Sequence, residues 1–111
     1  MPFQYVSDLV HPEFEAFFGA HPNDAADSYA LLNQVAVAGM AGIPPGKRDG
    51  FGMAKPYCHQ VNGWGIFFAV EGPWRGPCTV TLLLITEFTK TPIELAKREA
   101  VQRWRSAANR S

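Results

Sequence analysis

Apolar positions follow two different rhythms along this chain, helical spacing in the first third and strand-like runs in the last. Phe3-Gln4-Tyr5-Val6 alternates apolar and polar and predicts a short first strand, closed by Ser7 and Asp8. His11-Pro12-Glu13 predicts a helix start, with Pro12 near the first position and Glu13 and Glu15 by the positive end. Phe14, Phe17 and Phe18 then fall at helical spacing as core candidates, and Gly19 and His21-Pro22 close the helix. Asn23 and Asp24 are cap candidates for a second helix running to about Ala38. Its expected apolar face is Tyr29, Leu31, Leu32, Val35 and Val37. From Ile43 to Lys55, Pro44, Pro45, Gly46 and Gly50 break both periods and predict an irregular segment, either a tether or part of a site.

The strand rhythm begins at Tyr57. Residues 57–61 and 64–70 flank Asn62-Gly63, the dipeptide best suited to a two-residue hairpin turn. Two glycines and two prolines between Glu71 and Pro77 predict a second turn, and Thr79 to Ile85 is the strongest strand signal. Thr91, Pro92 and Glu94 have the spacing of a capped helix start. On that helix Leu95, Val101 and Trp104 share part of one face, and Lys97, Arg98 and Arg105 lie mainly elsewhere. The expected architecture is α+β, with residues 1–111 forming one domain. Its order is a short N-terminal strand, two helices, an antiparallel three-stranded meander and a basic C-terminal helix.

Composition narrows the class. At 111 residues, 47% apolar and 13% aromatic, the chain has enough apolar side chain for one modest core, which argues against disorder. No apolar run has the length of a membrane span, and the start lacks a signal-peptide pattern. A cytoplasmic protein with no membrane partner is the expectation. Cys58 and Cys78 fall on predicted neighbouring strands, as a possible contact or as two small buried thiols. Neither His11 nor His21 has acids, histidines and cysteines at ligand spacing, so no metal and no cofactor is expected. Phosphate loops and dinucleotide fingerprints are absent too.

Charge changes the picture more. The net charge is zero, but from Lys90 onward six basic side chains face two acids, an excess of four. The first 89 residues therefore carry an equal excess of acid. The split points to RNA or an acidic protein surface as partner of the C-terminal end, or to a solvated helix face with favourably placed cations.

The words at the end of the chain carry a resemblance. Phe88, Lys90, Pro92, Glu94, Ala96, Lys97 and Arg98 follow the closing strand in a pattern similar to the C-terminal signature of the RelE/ParE toxin superfamily. It is closest to the phage-type HigB-like branch. The element order resembles that family over most of the chain, and the sequence match is specific over about residues 80–98. The resemblance implies a twisted antiparallel sheet with two N-terminal helices packed on it. It also implies the toxin component of a type II toxin–antitoxin system, held by a cognate antitoxin protein. RelE and HigB types act as ribosome-dependent mRNA endonucleases, whereas ParE types inhibit gyrase. RNA-cutting members usually carry arginines on the second and third strands. Here those stretches are Tyr57 to Val61 and Trp64 to Phe68, without arginine. A second class of function therefore stands beside the first: a non-catalytic, phage-type protein of the same fold that binds and inhibits a host protein such as gyrase.

RNA cleavage needs a base, an acid and a cation at the phosphate. His59 is the sheet histidine and the acid/base candidate, with a structural strand histidine as the competing role. Lys55, where related toxins often place lysines, and Lys90, at the signature's lysine, complete the catalytic candidates that the resemblance implies. Lys47 and Arg48 in the irregular segment, Arg75 in the second turn, and Lys97 and Arg98 on the basic helix are the RNA-binding candidates. Each has an ordinary alternative as a solvated surface charge. Trp64 and Trp74 could stack on bases, although Trp64 reads first as core and Trp74 as an exposed turn residue.

Overall fold

The computed structural model describes residues 3–39, 41 and 57–109. The whole irregular segment expected from Ile43 to Lys55, with Lys47, Arg48 and Lys55 in it, therefore lies outside the described residues. In chain order the elements are β1 (Phe3–Tyr5), α1 (Val10–Ala20), α2 (Pro22–Ala38), β2 (Tyr57–Val61), β3 (Trp64–Glu71), β4 (Thr79–Glu87) and α3 (Ile93–Asn109). They form an α+β domain of three helices and one four-stranded sheet.

The sheet order is β1-β4-β3-β2. The meander turns at Asn62-Gly63, where φ is 47° and 82°, the left-handed geometry that this dipeptide tolerates. β1 lies outside β4 and runs parallel to it, with Phe3 opposite Val80 and Tyr5 opposite Leu82. The sheet is therefore mixed, not wholly antiparallel as expected. The reason is chain routing: β1 leaves the sheet through two helices, and such a crossover lets the chain return in the same direction.

Both faces are covered. Phe17, Leu32 and Val35 of α1 and α2 pack on Trp64, Ile66, Phe68, Val80, Leu82 and Ile85. Ala96 and Ala100 of α3 pack on Phe67, Ala69, Leu83 and Leu84 from the opposite side. Two-sided burial explains why β3 and β4 read as nearly continuous apolar runs. Burying a Phe or Leu side chain fully stabilises by about 1.5–3 kcal/mol. The alternation slips once. Phe67 pairs with Leu84 and Phe68 with Leu82, so Leu83 is an extra residue, and Leu83 and Leu84 both belong to the α3 side.

Three helix faces differ from their expected stripes. Phe17 is fully buried, but Phe18 is 50% exposed, because it sits one step of 100° round the helix. In α2 the inner positions are Ala25, Ser28, Leu32, Val35 and Ala36, while Val37 is exposed. In α3 Leu95 is exposed and Val101 half-buried, and Ala96 and Ala100 make the seat. Small side chains win there because they let the helix axis approach the sheet closely. The second helix also opens two or three residues early, at Pro22, with His21 closing α1 and preceding α2 in place of an Asn23 or Asp24 cap.

Two seams hold the layers in register. The last turn of α2 presents carbonyls with no helical partner. The β3–β4 turn supplies donors: Gly76 N–H to Ala38 O at 3.0 Å, and Cys78 N–H to Ala36 O at 2.9 Å. The Cys78 thiol donates to Val35 O. The second seam is Phe88, whose ring lies so close over Gly65 that an added Cβ would meet it at 2.3 Å. Cys58 and Cys78 are free thiols. They do not lie on neighbouring strands: β3 separates them, and Cys58 packs with the α3 cluster while Cys78 packs with the other. Among the described residues, no helix is long and apolar enough to cross a membrane.

Candidate functional site

α3 carries the densest cationic surface among the described residues. Its two inward alanines fix its rotation, and that rotation turns Lys97, Arg98 and Arg105 to solvent. Glu94, Arg98, Gln102 and Ser106 form one row at four-residue spacing, and Lys97, Val101 and Arg105 form the next. Together they line a surface groove of about 520 Å³. Lys97 to Arg105 spans about 12 Å along the axis, so the cations form a stripe and not a single pocket. Such a stripe suits a polyanion more than one small anion. Arg103 is not part of it. Its guanidinium turns inward to Glu13 and Glu99. Burial works against that charge, but the two carboxylates outweigh it and keep Arg103 firmly protonated.

The remaining candidates are dispersed. His59 sits half-buried at the middle of β2, one of the sheet's two outer strands, opposite Ile66. Tyr57 and Val61 on the same strand pack with the α1–α2 side. Alternation puts His59 on that side as well. Lys97 is on the other side, close enough to Cys58 to act on its thiol. Burial pushes that thiol up to about 11, with Lys97 pulling weakly the other way. Lys90 is exposed in the turn after β4, where Phe88 N–H bonds Gly63 O and Lys90 N–H bonds Glu87 O. Arg75 is exposed in the β3–β4 turn, at the opposite end of β3. Eight residues of strand hold those two ends roughly 20 Å apart. The structure thus groups Lys97 and Arg98 but does not bring His59, Lys90 and Arg75 to one point. Trp64 is buried at 8% exposure, stacked near Phe17 with ring centres 5.1 Å apart, so it is core. Trp74 is 54% exposed on its turn.

One polar cluster has no counterpart in the sequence reading. His21 Nδ1 lies 3.7 Å from Asp24 Oδ2, and the Asn62 amide donates to the same oxygen. The His21 ring also meets the Trp64 ring in a T-shaped arrangement. The available signal was the three-residue spacing of His21 and Asp24 across a helix start, but the Asn62 partner is 38 residues away. The cluster ties the first hairpin turn to the α1–α2 junction. Among the described residues, no group of three or more His, Cys, Asp or Glu side chains has the arrangement to hold a metal ion.

No protein-family model matches the chain, and no curated protein and no solved structure shows significant similarity to it.

Proposed function

We propose that the chain is a toxin of the RelE/ParE type, nearest the phage-related HigB-like branch. It binds mRNA on the ribosome and cuts it, and a cognate antitoxin protein holds it in check. One arrangement supports this reading above the others. The residues of the C-terminal signature act together: Phe88 covers Gly65, Ala96 seats α3, and Lys97 and Arg98 face outward with Arg105 as a basic stripe. The same short stretch thus builds the helix and turns its charge to the surface. In this role His59 is the acid/base group and Lys55 and Lys90 bind phosphate, Lys90 at a point away from His59, while Lys47, Arg48, Arg75, Lys97 and Arg98 hold RNA at separate places along the surface. Induced expression in growing cells tests it, with primer extension on cellular mRNA. Growth arrest with new mRNA 5′ ends is expected, and His59→Ala should reduce cleavage by about 10²–10⁴-fold. Growth arrest without cleavage would remove the nuclease.

The second reading is a non-catalytic inhibitor that grips a host protein such as gyrase. It is favoured by the positions of His59 and the α3 cations on opposite sides of the sheet, and by β2 and β3 carrying no arginine. Inhibition of gyrase supercoiling by the purified protein, unchanged in His59→Ala, is its expected signature.

A further inference from the structure

α3 does not cover the whole of its side of the sheet. Beyond Ala100 it leaves a cleft of about 410 Å³ between its C-terminal turns and the β1–β4–β3 corner. Gln4, Thr81 and Glu71 lie along the sheet side, and Trp104 with Ala107 forms the helix side. The chemistry of this lining is uneven. Glu71 is exposed at the end of β3 and is the one charged side chain among the described lining residues. Gln4 commits an amide N–H to Thr81 Oγ1 at 3.0 Å, which leaves its carbonyl oxygen as an acceptor. Trp104 is half-buried and adds an aromatic wall. Two acceptors and an indole form a lining for a flat, donor-rich cation.

We propose that this cleft takes an arginine side chain from a basic segment of a partner protein, with the guanidinium stacked on Trp104 and paired with Glu71. Guanidinium is planar, weakly hydrated and able to donate two parallel hydrogen bonds to a carboxylate, so it uses both features at once. The occupant's charge fits the lining itself, where Glu71 is the one charged side chain among the described residues. A nucleotide fits less well, because its phosphate would lie near Glu71. The cleft is separate from the basic stripe of α3, and the inference does not depend on RNA cleavage.

Titration of the isotopically labelled protein with N-acetyl-arginine-amide, followed by NMR, is the test. Saturable shifts are expected at the Trp104 indole N–H and the Gln4 side-chain amide. Glu71→Gln should weaken binding about tenfold, and Glu71→Lys should abolish it; Glu71 is exposed, so both variants should keep the wild-type spectrum elsewhere. N-acetyl-glutamate-amide should leave the two signals unmoved. Absent or non-saturable shifts, full affinity in Glu71→Gln, or tighter binding of adenosine monophosphate at the same signals would each overturn the proposal. None of these readouts depends on growth arrest, so its failure and that of the toxin reading are distinguishable.

Discussion

Glu13 of α1 and Arg103 of α3 meet at the edge of β4, with Arg103 Nη2 2.9 Å from Glu13 Oε2 and Nη1 3.0 Å from Oε1. They belong to helices on opposite faces, so the pair wraps the sheet edge. It also takes the place of a strand. β1 ends at Tyr5, and its last ladder contact is Val6 N–H to Leu82 O at 2.9 Å. Just beyond, Arg103 donates to the carbonyl of the extra residue Leu83 at 2.9 Å, and Ile85 N–H donates to Glu13 Oε1 at 3.1 Å. Two backbone groups that β1 is too short to reach are satisfied by side chains. The same pair closes an edge to strand addition by other chains.

Arg103→Met should destabilise the fold by about 3–5 kcal/mol, since it leaves Glu13 charged and largely buried without its partner. The pair's side chains are 13% and 24% exposed, so solvent screens little of this. Replacing both residues by apolar ones often restores stability at a buried ion pair. Here it should not, because Leu83 O and Ile85 N–H remain unpaired at about 1–3 kcal/mol each. Urea unfolding of Arg103→Met and of Glu13→Leu with Arg103→Met decides the point. A double variant as stable as wild type would show that the backbone contacts contribute nothing.

Gly39 and Gly19 should respond oppositely to alanine. Gly39 ends α2 at φ 75° and ψ −174°, and an added Cβ would meet Trp74 O at 2.3 Å. Gly39→Ala should cost more than about 2 kcal/mol from backbone strain and the clash combined. Gly19 sits in α1 with nothing within 4 Å of such a Cβ. Gly19→Ala should stabilise by about 0.5–1 kcal/mol. Thermal melts of the two variants are enough, and equal shifts would contradict the described α2 terminus.

Both thiols should react slowly in the folded protein. Burial raises Cys58 to about 11 and raises Cys78 as well. The folded value for Cys58 lies above the ordinary 9.0. Its contribution to stability is therefore complete below pH 9 and is lost as pH rises towards 11. Iodoacetamide labelling at pH 8 should be much slower than for a free thiol and should recover in urea. Rapid labelling of the native protein would place Cys58 in solvent.

The α3 cations should matter for binding and not for folding. Lys97→Glu, Arg98→Glu and Arg105→Glu replace exposed side chains, and each should shift stability by no more than about 0.5 kcal/mol. If the stripe holds RNA, each should weaken binding to a single-stranded oligonucleotide and lower the salt slope by about 0.7. Wild-type affinity in the triple variant would leave the stripe without a role in RNA binding.

The order of elements was legible in the sequence because it depends on local chemistry. Asn62-Gly63 specifies a turn through its own backbone preferences, and Pro92 cannot continue a strand. Period and apolar run length told helix from strand, and β2, β3 and β4 lie where the runs do. Partners in space were not legible. Nothing in the spacing of Phe3 to Tyr5 says that β1 lies parallel to β4. The extra residue at Leu83 flips the alternation only because strand pairing demands it. Leu95 looked like a core residue of α3, but the helix rotates onto Ala96 and Ala100, whose small size allows close approach. Arg103 read as one more cation of the basic end until Glu13, 90 residues away in sequence, turned it inward. Local preferences are written residue by residue. Which faces meet, and which charges are spent on the fold, depends on how all the elements share one sheet.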